Sequence, residues 1–197
     1  MQKVSLACTG GGVKAAVNIG AIRALEDLGI RINAISGASL GGCVASLYGM
    51  GYEPKEILEM FKKNKKKWGH FTIKDIICAL PNLAVRGGLK NPKKIPTSIK
   101  EVGDAQDVIS MDDFGMPVII PALDITHRET VYYSSRPLND EFTYYTDRTV
   151  FEAIRSTCSL PIIYIPNEVK IDNKIHHMLD GGTTTNTPVT ALRQFSD

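Results

Sequence analysis

Ile35-Ser36-Gly37-Ala38-Ser39-Leu40-Gly41-Gly42 contains a Gly-x-Ser-x-Gly. That pattern marks a nucleophile elbow, a tight turn that leaves a strand, presents a serine and enters a helix. The turn brings backbone against backbone, so its neighbours must be small, and Gly37 and Gly41 supply the room. The apolar residues 32–35 read as the strand, and residues 39–51 as the helix. Upstream, the apolar run 4–8 stops at Thr9-Gly10-Gly11-Gly12. Val13, Ala16, Ile19, Ile22 and Leu25 then recur at helical spacing, and Gly29 reads as the C-cap. Strand, helix, strand and helix at such short spacing predict an α/β fold with a parallel sheet covered by helices.

Further along, residues 54–67 read as a helix with Pro54 in its first turn. Residues 71–80 form another candidate helix, 81–88 a loop, and 91–102 a helix that Pro96 would interrupt or restart. Residues 116–125 are the clearest strand, apolar throughout and hence central, and 129–134 are a β-type run suited to pair with it. Residues 148–156 read as a helix. Three short strands follow at 162–165, 168–171 and 174–178, the last two joined across Asp172-Asn173, and 187–195 begins a final helix. With 197 residues and no repeat, linker or low-complexity stretch, one domain over 1–197 is the simplest organisation.

Composition narrows the function classes. Hydrophobic residues make up 43% and charged residues 22%, and the net charge of +2 gives no reason to expect a nucleic-acid partner. No apolar run approaches the ~18 residues of a membrane span, and the N-terminus lacks the apolar core of an export signal. Cys8, Cys43, Cys78 and Cys158 are widely spaced without a CxxC pair. Reduced thiols, a cytoplasmic location and no metal or other cofactor are therefore expected.

Three constellations carry chemistry. Gly10-Gly11-Gly12 between a strand and a helix presents backbone N–H groups that stabilise negative charge, either a phosphate or the oxyanion of acyl transfer. The P-loop and dinucleotide patterns are both absent, since Val13, Lys14 and Ala15 follow the glycines. Ser39 would lie at the same sheet edge as these glycines, where ligands of parallel sheets sit. Asp180-Gly181-Gly182 ends a strand with an acid on a glycine turn. For a base, Asp124 followed by His176 or His177 satisfies the chain order of a Ser-Asp-His triad. The early position of Ser39, after only two strands, argues against that fold. His176 and His177 alternate along a strand, so one should be packed and the other exposed.

Together these blocks resemble the patatin-like phospholipase family. The resemblance rests on Gly-Gly-Gly-x-Lys/Arg, Gly-x-Ser-x-Gly and a distal Asp-Gly-Gly followed by Asn186 and Pro188. The segment Ala153-Ile154-Arg155-Ser156-Thr157-Cys158-Ser159-Leu160-Pro161, with Pro166 beyond, is similar to the block that precedes the family's aspartate. Ala15 replaces a usual glycine, Arg155-Ser156 a usual Ala-Ser, and Tyr164 a phenylalanine. The family commonly continues with a further strand and helix, so this chain is expected to be a compact or shortened member.

The resemblance implies a three-layer α/β/α fold with a mostly parallel central sheet. It also implies a Ser39–Asp180 dyad, with Ser39 the nucleophile and Asp180 the general base, supported by Gly37, Gly41, Gly181 and Gly182. The backbone of Gly10, Gly11, Gly12 and Val13 would form the oxyanion hole, and Lys14 would anchor the glycine loop. The implied substrate is a lipid acyl ester. Lys62 to Lys67 form a basic run before Trp68. Lys65, Lys66, Lys67 and Trp68 would suit peripheral contact with an anionic membrane, although a solvated helix end is the plainer reading. Residues 54–102 are where a lid over an acyl pocket would sit. Two competing readings are an esterase or thioesterase acting on soluble esters, and a non-catalytic lipid-binding module of the same fold.

Overall fold

The computed structural model describes residues 2–69, 87–90 and 94–196. The candidate helix at 71–80, most of the loop at 81–88, His70 and Cys78 lie outside the described residues, as do the side chains of Val13, Lys65, Lys66, Lys67 and Trp68.

β1 (Lys3–Cys8) and β2 (Arg31–Gly37) pair in parallel. A parallel pair needs a crossover, and it consists of a 3₁₀ turn at Gly12–Ala15 and α1 (Ala16–Asp27). α1 buries Ile19 and Ile22. Gly29, at φ 69°, stops it and donates its amide to the Glu26 carbonyl at 2.8 Å. α2 (Leu40–Gly49) leaves β2 through Ser39 and is buried from Leu40 to Leu47. Its Gly41, Gly42, Ala45 and Ser46 let the helix backbone lie close to the sheet.

α3 (Pro54–Gly69) starts on its proline, as expected. α4 (Lys94–Asp104) carries Pro96 near the start of its described residues and runs on past it to Asp104. Residues 91–93, where the sequence places its start, lie outside the described residues. β3 (Gly88–Lys90) pairs in parallel with β7 (Ile162–Tyr164), away from the main sheet.

β4 (Val118–Asp124) is the central strand, as its unbroken apolar run indicated. β5 (Glu129–Ser134) pairs with it antiparallel, and β6 (Thr143–Tyr145) lies parallel beside β5. α5 (Val150–Thr157) is capped by Thr149, whose hydroxyl accepts the Glu152 amide at 3.1 Å. β8 (Asn167–Ile171) and β9 (Lys174–Asp180) form the expected hairpin. Its two turn residues both have positive φ, 47° at Asp172 and 62° at Asn173, as a two-residue hairpin loop requires. A short α6 (Val189–Leu192) follows and runs into a 3₁₀ turn at Arg193–Phe195.

The sheet order is β1-β2-β4-β5-β6, with β9 joined to β4 and β8 to β9. β2 and β9 share one edge of β4. β2 pairs with its first half at Val118 and Ile119, and β9 with its second half from Ala122 to Asp124. Pro121 sits between the two tenants. Residues on this edge alternate, and Pro117, four positions earlier, accepts the Ile35 amide across it at 2.9 Å. The Pro121 nitrogen therefore faces the gap between β2 and β9, where no ladder bond is lost by its lacking an N–H.

Side chains alternate across the sheet and separate two cores. Val118, Ile120, Val131 and Tyr133 face α1 through α5, and Ile119 and Tyr132 face Leu138, Ala191 and Leu192 near α6. This is the three-layer α/β/α arrangement that the sequence implied. No helix among the described residues is long and apolar enough to cross a membrane.

Candidate active site

Ser39 stands between β2 and α2 with φ 53° and ψ −131°. A non-glycine residue in this region is strained and persists only where its surroundings hold it. The glycines at either side do so by allowing close approach. A Cβ on Gly37 would lie 2.2 Å from the Gly41 carbonyl oxygen, and one on Gly41 would lie 2.5 Å from that of Thr9. The turn is also tied down by hydrogen bonds. The Ser39 amide donates to Thr157 Oγ1 at 2.9 Å, and the Ser39 carbonyl accepts the Gly42 amide at 2.9 Å.

Asp180 ends β9 at the same level. It is 2% exposed, and its amide donates to the Ser159 carbonyl at 2.9 Å. Oδ1 accepts the Gly182 amide at 2.7 Å, while Oδ2 has no hydrogen-bond partner among the described residues. Burial pushes the Asp180 carboxyl above its ordinary pKa, against opposing help from the Ser39 hydroxyl and the Gly182 amide. Gly181 is forced by packing, since a Cβ there would meet the Pro121 carbonyl oxygen at 2.1 Å. The gap on the β4 edge is thus what admits the Asp-Gly-Gly turn beside the serine.

Ser39 and Asp180 line one cavity of about 570 Å³, within the range of small-molecule sites. Gly11, Gly12 and Asn186 line it too, and its walls are largely apolar, with Leu58 and Phe61 from α3, Ile95 from α4, and Leu160 and Ile163 beyond α5. The segment after the elbow helix, singled out in the sequence as the place for a lid, therefore supplies a wall.

The glycine loop needs one correction. The Gly10 amide is occupied, donating to the Asn186 carbonyl at 3.0 Å, so it is not available to an oxyanion. Gly11 (φ 128°) and Gly12 (φ 60°) face the cavity, and their amides have no acceptor among the described residues. Lys14 is exposed, and its amide donates to the Gly11 carbonyl at 3.3 Å within the loop, which Asn186 ties down from the other side. The Asn186 side chain adds a second tie, donating to Thr9 Oγ1 at 3.0 Å.

Among the described residues, no histidine lines this cavity. His176 is buried and His177 half-buried, in line with their alternation on β9. His176 Nδ1 bonds Asp124 Oδ2 at 2.7 Å, and His127 Nδ1 bonds the same oxygen at 3.0 Å. None of the three lines the cavity of Ser39. The Asp124–His176 pair that would have completed a triad is real, but it lies outside the lining of this cavity. Cys158 also lines the cavity, but it is no rival nucleophile. Its contact with Cys43 at 3.9 Å, together with burial, keeps the thiol protonated.

Sequence reasoning passed over Thr157, whose hydroxyl holds the elbow, and Asn186 as the loop's anchor. Both lay inside blocks that had been matched for other reasons.

A strained serine at a strand-to-helix turn on a three-layer α/β sheet, with a buried aspartate beside it, defines the class of fold. The chain belongs to the patatin-like phospholipase family, whose model matches residues 6–193. It is 26% identical over 192 residues to the uncharacterized protein YqhO of Bacillus subtilis, an alignment covering 92% of this chain and 64% of that one. It is 28% identical over 193 residues to the lysophospholipase NTE1 of Kluyveromyces lactis, covering 98% of this chain and 12% of that protein. The chain thus spans less than two thirds of these relatives. VipD from Legionella pneumophila shares the fold, with a TM-score of 0.57 at 16% identity over 95% of this chain and 47% of VipD.

Proposed function

We propose that the chain is a serine lipid acyl hydrolase in which Ser39 is the nucleophile and Asp180 its general base. The observation that carries this is the pairing of the strained Ser39 with a buried Asp180 whose Oδ2 has no hydrogen-bond partner among the described residues, both lining one apolar cavity. Asp180 takes the Ser39 proton as Oγ attacks the ester carbonyl. Charge then develops on the carbonyl oxygen, within reach of the amides of Gly11, Gly12 and Val13 at the head of the 3₁₀ turn. The proton passes from Asp180 to the departing alcohol and leaves an acyl-enzyme on Ser39. Water, deprotonated by Asp180, attacks the acyl carbon, and the acid departs as Asp180 returns the proton to Ser39 Oγ.

A carboxylate is a weak base, and burial without a full set of donors moves Asp180 in the direction general-base work requires. The apolar walls suit an acyl chain, and this favours acyl lipids over short soluble esters. The basic run at the end of α3 would face an anionic bilayer, and Lys62 within it lines the cavity.

Fluorophosphonate labelling of the wild type, Ser39→Ala and Asp180→Asn tests the dyad, combined with release assays on phospholipid, lysophospholipid and short-chain esters. We expect labelling that depends on Ser39 and faster release from the long-chain lipids. An intact wild-type protein that does not label at Ser39 would overturn the reading.

A further inference from the structure

We propose that Asp124, His127 and His176 form a binding site for a divalent transition-metal ion of the zinc class, outside the lining of the hydrolytic cavity and toward the other end of β9 from Asp180. Asp124 is the last residue of β4, His127 lies in the turn that leads to β5, and His176 stands on β9 beside them. One ligand atom from each, Asp124 Oδ2 and a ring nitrogen of both histidines, lies within 4.8 Å of the other two. Two edges of that triangle are already short, at 2.7 Å and 3.0 Å from Oδ2 to the Nδ1 atoms. Around zinc with bonds of about 2.0–2.1 Å, neighbouring ligand atoms stand roughly 3.0–3.4 Å apart. An ion would open these two edges by a few tenths of an ångström, and the third would close by rotation of His127. The His127 side chain is 45% exposed, so it is free to rotate and leaves a path of entry.

The supporting shell is in place as well. Asp124 Oδ1 accepts the amides of Thr126 at 2.8 Å and His127 at 3.4 Å, which fixes the carboxylate and aims Oδ2 between the two imidazoles. Ligating carboxylates are ordinarily oriented in this way. The rings sit 4.5 Å apart at 33°, both turned toward the same oxygen. Asp124 is fully buried, and an ionised carboxylate there needs positive charge close by. Both imidazoles lie within hydrogen-bond distance of that carboxylate. On binding, each imidazole ligates as the neutral tautomer that carries its proton on Nε2, and Nδ1 donates its lone pair to the cation. Two nitrogens and one carboxylate oxygen suit zinc, cobalt or nickel better than magnesium or calcium, which favour all-oxygen shells. Water would complete the coordination on the exposed side. The wide spacing of the cysteines gave no hint of such a site, because it contains none of them.

The position gives the ion a structural task. Asp124 pairs with Met178 on β9, two residues before Asp180. An ion held by β4, its turn and β9 would fasten the strand on which the proposed base is mounted.

The test uses the whole chain, stripped by chelator and dialysed. Zn²⁺ is titrated in by calorimetry, and Co²⁺ is followed by its visible absorption. We expect one equivalent of either ion, a cobalt spectrum without the near-ultraviolet band of a thiolate ligand, and a thermal midpoint that climbs with Zn²⁺ concentration. His127→Ala, at a half-exposed site that should not disturb folding, should lower affinity by more than the roughly 10–100-fold lost with a supporting partner. His176→Ala should do the same, and His177→Ala should leave binding intact. Zn²⁺ affinity that is undetectable in the wild type, or equal in the wild type and His127→Ala, would overturn the site. So would a thiolate band in the cobalt spectrum.

Discussion

Asp124 and Asp180 are both buried aspartates, on neighbouring strands and only two residue pairs apart across the β4–β9 ladder. Their surroundings push them in opposite directions. Burial raises the pKa of each. At Asp124 the hydrogen bonds from His176, His127 and two backbone amides outweigh it, and the carboxyl sits below its ordinary value. At Asp180 only the Gly182 amide and the nearby serine oppose burial, and the carboxyl sits above it. On the proposed dyad, the contrast is how a fold keeps histidines close to a nucleophile and leaves the base role to an aspartate. One carboxylate is fully supplied with donors and is stable but unreactive. The other is undersupplied and so is ready to accept a proton.

The largest test of this contrast is Asp180→Asn. Removing the base should lower kcat/KM on a long-chain ester by about 10⁴-fold, the scale seen when a base or its support is lost from a serine hydrolase. Activity close to wild type would place the base elsewhere. Asp124→Asn should show the opposite pattern. It removes the charged acceptor of two imidazoles and should destabilise the chain by about 1–3 kcal/mol, while changing hydrolysis far less than Asp180→Asn does. Chemical denaturation measures the first effect and the release assay the second. A collapse of turnover in a folded Asp124→Asn would revive the triad.

The pH dependence should differ in sign as well. Asp180 binds its proton more tightly folded than unfolded. Stability from that site is therefore full below the ordinary carboxyl pKa of about 3.9 and declines as pH rises through the folded value. Asp124 binds its proton less tightly when folded, so its contribution is present above the ordinary value and lost as pH falls through the depressed one. At neutral pH, Asp180→Asn should accordingly melt higher than wild type, by about 2–4 °C if roughly 1 kcal/mol of carboxylate burial is relieved. In the wild type, kcat/KM should rise with pH as Asp180 ionises. The smallest effect is expected on the nucleophile side. Thr157→Val removes the acceptor of the Ser39 amide at a cost of about 1 kcal/mol, and fluorophosphonate labelling should slow without stopping.

Much of this arrangement was legible in local sequence. The elbow, the central strand and the Asp172-Asn173 hairpin are each written in a few adjacent residues, whose glycines, apolar runs and turn pair have one sensible reading. What was not legible depends on partners distant in the chain. β6 and β3 are three-residue strands, too short for a period, and each is defined by the strand beside it. Nothing near Gly10 shows that its amide will be taken by Asn186. His127 drew no notice in the sequence, because its role appears only when β9 brings His176 against Asp124. Even Pro121 read as one more apolar residue of β4. Its meaning depends on two strands that share an edge and are supplied by opposite ends of the chain.

That shared edge sets the order in which the protein can come alive. A ribosome delivers β1, β2 and the elbow well before β9. Until β9 is free of the exit tunnel and takes the second half of β4, Ser39 has no Asp180 beside it. On the proposed dyad, a nascent chain that has folded only its first strands carries the nucleophile without its base.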